Sequence, residues 1–228
     1  MQRILVASGN AKKLHELRTL CADLPVEILA PSDIDAPLPD VIEDGDTFSA
    51  NARKKALEFA EFAAEHLGPD VWALADDSGL SVDHLNGLPG VHSARFAEMY
   101  SDGFTANDED RVLPQFEGVD GDNNVLLLQR LHEVNDPNRG GAFHCVIAVA
   151  HGGEVMIEVE GEVRGRILRK PQGEAGFGYD PLFFHEPSGV AFAELSLEQK
   201  SKVSHRGIAV GKLRQALKSL LQTPPSHR

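Results

Sequence analysis

The chain has 228 residues, 42% of them hydrophobic, which suffices for one large domain or two halves sharing a core. Its formal net charge of −13 argues against nonspecific binding to a nucleic-acid backbone and leaves a small anionic substrate open. No apolar run is long enough to span a membrane, the N-terminus lacks a signal-peptide pattern, and Cys21 and Cys145 have no metal or redox spacing, so they read as buried thiols in a reducing, cytoplasmic compartment.

In chain order, Arg3–Ala7 reads as a strand broken by Ser8-Gly9-Asn10. Leu14, Leu17 and Leu20 or Cys21 then recur at helical spacing, with Leu24 one turn on. This strand–turn–helix places backbone N–H groups and a helix N-terminus where a phosphate would sit. Lys12 and Lys13 in its first turn oppose the helix dipole unless an anion is bound; otherwise they are ordinary surface lysines. Val26–Ala30 is a second strand, and a Pro/Asp-rich loop follows from Pro31 to Asp46. Phe48, Ala52, Ala56, Phe59, Phe62 and Ala63 mark a long amphipathic helix with Asp46 or Thr47 as its N-cap. Glu43 ahead of it and Lys55 within it face a common cleft or are solvated charges.

The apolar run Val71–Ala75 reads as a buried strand that delivers Asp76 and Asp77 to its end, where loops build sites. Adjacent acids there hold Mg²⁺ and orient a water, or form a turn with Ser78 and Gly79. Leu80–Asp83 reads as the hairpin partner, and Gly87-Leu88-Pro89-Gly90 as a tight loop. The segment from Glu98 to Asp122 carries eight acids and one base, a net charge of −7, and reads as a surface loop. Val125–Leu131 is a short helix, and Phe143–Val149 and Val155–Val163 are strands joined at His151-Gly152-Gly153. The glycine-rich loop Gly173–Asp180 holds Phe177 and Tyr179, which stack on a base or pack internally. Lys200, Ser204, His205 and Arg206 cluster before a final helix, Ile208–Leu221, and suit a phosphate, a base edge or simply a helix start. Residues 223–228 read as a flexible tail.

Five motifs, in order, resemble those of the inosine/xanthosine triphosphate pyrophosphatase family. They are Ser8-Gly9-Asn10-Ala11-Lys12-Lys13; Glu43-Asp44-Gly45-Asp46-Thr47-Phe48 with Asn51-Ala52-Arg53-Lys54-Lys55-Ala56; Asp76-Asp77-Ser78-Gly79-Leu80 with Gly87-Leu88-Pro89-Gly90 and Ser93-Ala94-Arg95; Phe177-Gly178-Tyr179-Asp180-Pro181; and Lys200 through Ser204-His205-Arg206. The resemblance covers about 1–97 and 123–221. It implies an α/β fold with an elongated mixed central sheet flanked by helices, two lobes around a nucleotide cleft, and a homodimer. The catalytic domain would be 1–222, with an acidic surface insertion at about 98–122. The implied reaction is Mg²⁺-dependent hydrolysis of noncanonical purine nucleoside triphosphates (ITP, dITP, XTP) to the monophosphate and pyrophosphate.

By that resemblance Lys13 and Lys55 hold phosphate oxygens, Glu43 and Asp77 bind Mg²⁺, and Asp76 completes the acidic site. Asp77 also orients the water. Ser8, Gly9, Asn10, Ala11 and Lys12 cradle phosphate, and Ser78 contacts the substrate. Phe177 stacks on the purine, Gly178, Tyr179 and Asp180 shape its pocket, and Lys200, His205 and Arg206 address the base and its 6-oxo group. The chain departs from the pattern at Ala50, where the family usually has Glu, and at Phe96-Ala97-Glu98, which replaces Tyr-Ser-Gly. Two other readings compete. One is a nucleotide-binding sensor that has lost catalysis, for which the Ala50 departure is the only support; tight inosine-nucleotide binding with no hydrolysis at high Mg²⁺ would favour it. The other is a pyrophosphatase for modified pyrimidine nucleotides, disfavoured because its Ser-Pro-Arg-Arg opening is missing.

Overall fold

The computed structural model of the chain describes residues 1–100 and 118–222, the side chains of Lys12 and Val119 aside. The expected flexible tail and the middle of the acidic segment lie outside the described residues. Strands β1 (Gln2–Val6), β2 (Val26–Leu29), β3 (Trp72–Val82), β4 (Gly140–His151), β5 (Glu154–Ile167), β6 (Phe183–His185) and β7 (Val190–Ala191) form one sheet in the order β2-β1-β3-β4-β5-β6-β7. β1 runs parallel to β2 and β3, while β6 is antiparallel to β5 and β7, so the sheet is mixed. The helices are α1 (Ala11–Leu20), α2 (Phe48–Leu67), α3 (Phe96–Tyr100), α4 (Gly118–Arg130), α5 (Leu197–Val203) and α6 (His205–Gln222). No helix among the described residues is long and apolar enough to cross a membrane.

The chain forms two compact units, one of residues 1–77, 145–161 and 205–228, the other of 78–144 and 162–204. In the first, the period-two alternation of the strands sorts side chains into two layers. Ile4 and Val6 of β1 and Cys145, Ile147 and Val149 of β4 pack with Leu14 and Leu17 of α1 and Ala209, Val210, Leu213 and Leu217 of α6. Leu5, Ala73, Ala75, Val146, Ala148 and Ala150 turn the other way and pack with Ala52, Ala56, Phe59, Ala60, Phe62 and Ala63 of α2. Alanines on both sides of that second layer let α2 lie close to β3. Thr47 caps α2, its hydroxyl accepting from Ala50 N at 3.1 Å. Cys21 and Cys145 are both buried thiols.

In the second unit the rings of Phe143, Phe183 and Phe192 pack with centroids 4.6–5.9 Å apart. Arg139 is 1% exposed, and among the described residues its hydrogen bonds go to no carboxylate. Its guanidinium donates instead to the carbonyls of Leu131, Ile167 and Leu168, tying the end of β5 to the end of α4.

Several boundaries differ from the sequence reading. Asp76 and Asp77 lie inside β3, which runs unbroken to Val82; there is neither a strand end nor a hairpin at that point. Each acid has partners that make burial in a strand tolerable, so no turn is required. The ends of the expected acidic loop are helical: Glu98 belongs to α3, and Asp120 and Asp122 to α4, which starts seven residues before Val125. The polar first half of α4 hides its apolar face, since Asn123 and Asn124 are both buried there. The last helix begins at His205 rather than Ile208, and Lys200 lies in the separate helix α5.

Arg139→Ala would take the side-chain donor from three carbonyls, of which that of Leu131 keeps Val134 N at 3.1 Å. At about 1–3 kcal/mol for each of the other two, urea unfolding at neutral pH should show a loss of at least about 2 kcal/mol with little change in slope.

Candidate functional site

The turn after β1 is closed by Ser8 and Asn10. Ser8 Oγ accepts from Asn10 N at 3.3 Å, and Asn10 Oδ1 accepts from Lys13 N at 3.3 Å, capping α1. A Cβ at Gly9 would meet nothing within 4 Å. Among the described residues no protein contact demands a glycine there, whereas close approach of a ligand to the backbone would. Ala11 is the exposed first residue of α1. The Lys12 side chain lies outside what the structure describes.

Lys13 resolves the unfavourable charge at this helix start through a partner within the protein. Its ammonium donates to both oxygens of Asp76, at 3.0 and 2.8 Å. Arg206, at the start of α6, donates to Asp76 Oδ2 at 3.1 Å. A third cation, Lys55, donates to the Asp76 carbonyl at 3.2 Å and pairs with Glu43. Burial by itself would push the Asp76 carboxyl up. The charges of Lys13 and Arg206, the Lys13 hydrogen bonds and the charge of Lys55 outweigh it and hold the group well below the usual carboxylate range.

Asp77 is 9% exposed and is held differently. Asn51, 1% exposed, donates from Nδ2 to Asp77 Oδ2 at 3.0 Å and accepts at Oδ1 from Gly45 N at 2.8 Å. One buried amide thus ties Asp77 to the loop that carries Glu43. The fit is close, because a Cβ at Gly45 would lie 2.7 Å from Asn51 Oδ1. Asn51 and Lys55 are one turn apart on α2, so the same helix face serves both aspartates. Ala50, the departure from the family pattern, is exposed, and its N–H donates to the Thr47 hydroxyl that caps α2.

These residues fit a hard divalent cation unequally. Glu43 and Asp77 offer carboxylate oxygens of the kind Mg²⁺ takes, and Asp77 Oδ2 is held by a neutral amide. Both Asp76 oxygens are engaged by cations. The geometry therefore separates the two adjacent acids, one facing an amide and one carrying lysine and arginine.

His205 is buried at the first position of α6. A Cβ at Gly161 of β5 would lie 2.0 Å from the His205 carbonyl, so that glycine allows β5 and the start of α6 to touch.

The second unit holds the other group of expected residues. Ser78 is the half-buried residue of β3 after Asp77. Asp180, 2% exposed, accepts from Phe177 N at 2.9 Å and from the Lys200 ammonium. The Lys200 nitrogen also lies 4.7 Å from the centroid of Phe177, whose ring is 56% exposed. Gly176, at φ +87°, is needed here, since a Cβ would lie 2.1 Å from Asp180 Oδ2. Tyr179 is buried and donates to the Ser93 carbonyl at 2.9 Å. Burial, followed by the charge of Asp120, pushes its phenol up. An exposed ring with a neighbouring ammonium and a buried carboxylate suits a flat heterocycle with polar edges.

The expected residues thus divide. Lys13, Glu43, Lys55, Asp76, Asp77, His205 and Arg206 belong to the first unit, and Ser78, Phe177, Gly178, Tyr179, Asp180 and Lys200 to the second. Arg206, expected at the base, is an ion-pair partner of Asp76. Asn51 was not singled out as a site residue. It stands in the second motif without an assigned role, and its further local signal is a place one turn before Lys55 on the same helix.

A model of the Ham1 family matches residues 4–216. A dITP/XTP pyrophosphatase of Clostridium perfringens (strain 13 / Type A) is 39% identical, over 97% of this chain and 100% of that protein. One of Geobacter sulfurreducens is 43% identical, over 95% of this chain and 97% of that protein. Among solved structures, a HAM1 protein from Coxiella burnetii superposes with a TM-score of 0.78 at 33% identity, covering 96% of this chain and 100% of that one. A nucleoside-triphosphatase / dITP/XTP pyrophosphatase from Mycobacterium abscessus does so with a TM-score of 0.69 at 38% identity, covering 93% and 97%.

The Asp76 ion pairs set a pH dependence. A carboxyl whose folded-state pKa is depressed gives stability that is complete above its unfolded value, near 3.9, and that is lost as pH falls through the folded value. The stability difference between the parent and Asp76→Asn, from urea unfolding, should be full at neutral pH and narrow below about pH 4. A difference that widens on acidification contradicts the assignment.

Proposed function

The chain belongs to the Ham1 family, and we propose on that premise that it hydrolyses dITP, ITP and XTP to the nucleoside monophosphate and pyrophosphate in a Mg²⁺-dependent reaction. The observation that carries the reading is the array of Lys13, Lys55 and Arg206 around the backbone and side chain of Asp76, next to the differently held Asp77. Cleavage between the α- and β-phosphates requires the triphosphate charge to be neutralised and a water aimed at the α-phosphorus.

In this reading Lys13, Lys55 and Arg206 take up phosphate oxygens. Asp76 keeps the Lys13 and Arg206 side chains ordered before substrate arrives, which lowers the entropy lost on binding. The open β1–α1 turn, with Ser8, Gly9 and Asn10 at an N-terminal helix end, receives a further phosphate. Glu43 and Asp77 would hold Mg²⁺, which when bound lowers the pKa of a coordinated water and neutralises phosphate charge. Asp77, fixed by Asn51, orients the attacking water and accepts its proton.

The second unit supplies base recognition. The Phe177 ring stacks on the purine, and Lys200 donates toward the 6-oxo group of hypoxanthine or xanthine. Adenine presents an amine donor at that position and would leave a buried pair of donors facing each other, which costs affinity. The chain is proposed to act as a homodimer, as the family resemblance implies.

With Mg²⁺ present, ITP, dITP and XTP should yield pyrophosphate, and Asp77→Asn should lower kcat by about 100-fold or more, the range of a general base. Release of orthophosphate, or turnover of ATP equal to that of ITP, contradicts the reading. Nucleotide-panel kinetics with pyrophosphate detection decide it.

A further inference from the structure

Helix α4 grips the loop that carries Phe177, and it does so with side chains at both polar groups of one residue. Gly178 N donates to Asp120 Oδ2 at 2.8 Å, and Gly178 O accepts from Asn124 Nδ2 at 2.8 Å. The same Asn124 amide donates to the Asp120 carbonyl at 2.8 Å, four residues back along α4, so the two clamping residues also support each other. Asn124 is 2% exposed. The carboxylate-to-backbone bond is charge-assisted, hence of the stronger kind.

Gly178 is at φ +59°, a left-handed conformation that costs glycine least, and a Cβ there would meet nothing within 4 Å. These hydrogen bonds therefore hold a backbone position beside which, among the described residues, there is open space for a side chain. The residues on either side have their own anchors: Phe177 N on Asp180, and the Tyr179 hydroxyl on the Ser93 carbonyl. Asn123, the neighbour of Asn124 on α4, extends the support, donating to the carbonyls of Ser93 and Ala94 and accepting from Ala97 N at 2.8 Å. The exposed Phe177 ring thus stands beside a residue whose N–H and carbonyl are both held by side chains of α4.

We propose that Asp120 and Asn124 are positioning residues for base recognition: by clamping Gly178 from both sides they set the orientation of the Phe177 ring. Neither contacts the substrate. The inference rests on the reading that Phe177 stacks on the purine. It also gives a role to the C-terminal end of the acidic segment, whose residue Asp120 is one jaw of the clamp. Releasing one backbone residue from a fixed conformation should weaken binding of the base about 5- to 30-fold, the equivalent of ordering a single residue.

The test compares the full-length parent, Asp120→Ala and Asp120→Asn in calorimetric binding of inosine monophosphate and of inorganic tripolyphosphate with Mg²⁺, and in kinetics with ITP and ATP. Asp120 is exposed, so its replacement should leave the fold intact, and Asn124→Ala serves as a second, independent break of the clamp. The expected result is weaker binding of inosine monophosphate by Asp120→Ala and Asn124→Ala with tripolyphosphate binding kept. KM for ITP should rise by more than kcat falls, and the preference for ITP over ATP should shrink. Asp120→Asn, whose side-chain oxygen still accepts from Gly178 N, should recover most of the loss. Parent-like binding of inosine monophosphate by Asp120→Ala overturns the proposal, as does an equal loss of both ligands, which would mark a general structural effect. A parent that binds tripolyphosphate and not inosine monophosphate overturns the base reading itself, and the clamp with it.

Discussion

A nearly buried carboxylate carrying two cations organises the first unit. Asp76 is bonded by Lys13 from α1 and by Arg206 from α6, two helices that begin 194 residues apart at Ala11 and His205 and pack in one layer on the same strands. Removing two charges from water is costly, and the mutual attraction of a buried pair often only balances that cost. The arrangement is therefore poorly explained as a device for stability. What it achieves is order. Two flexible cationic side chains are held in one place by a third charge, and the pair of helix starts is registered on β3.

The second constraint is the alanine layer. Ala73 and Ala75 of β3 face Ala52 and Ala56 of α2, all within 1% of complete burial. Larger side chains would hold the helix off the strand. With α2 this near, Asn51 reaches Asp77, and Lys55 reaches the Asp76 carbonyl. The chemistry of the adjacent aspartates is thus divided by the pleat of a single strand. Consecutive side chains point to opposite faces, so Asp76 meets the cations of α1 and α6, while Asp77 meets the amide of α2. In the second unit an analogous economy holds: α4 fixes the backbone of Gly178, Asp180 fixes that of Phe177, and Lys200 is shared between Asp180 and the Phe177 ring.

Much of this was legible in the sequence, for physical reasons that can be stated. The helices α1 and α2 carry apolar residues at helical spacing, and their strands show as short apolar runs, so the order of elements was readable. The motif resemblance drew Lys13, Glu43, Lys55 and Asp77 into one set although 64 positions separate the first from the last. What was misread depended on partners distant in the chain. Asp76 and Asp77 looked like a strand end because two acids are costly inside a strand; Lys13, Arg206 and Asn51 remove that cost, and none is a sequence neighbour. Helix α4 looked short because Asn123 and Asn124 are buried polar residues whose hydrogen bonds go to other segments. Strands β6 and β7, of 3 and 2 residues, are too short for any alternation to register.

The central claim is that the Asp77 side of the first unit directs water to the α-phosphorus. Hydrolysis of ITP in ¹⁸O-labelled water, followed by mass spectrometry of both products, tests it most directly. The account predicts one labelled oxygen in inosine monophosphate and none in pyrophosphate. Label in the pyrophosphate would mean that water attacks the β-phosphorus, and would contradict the account.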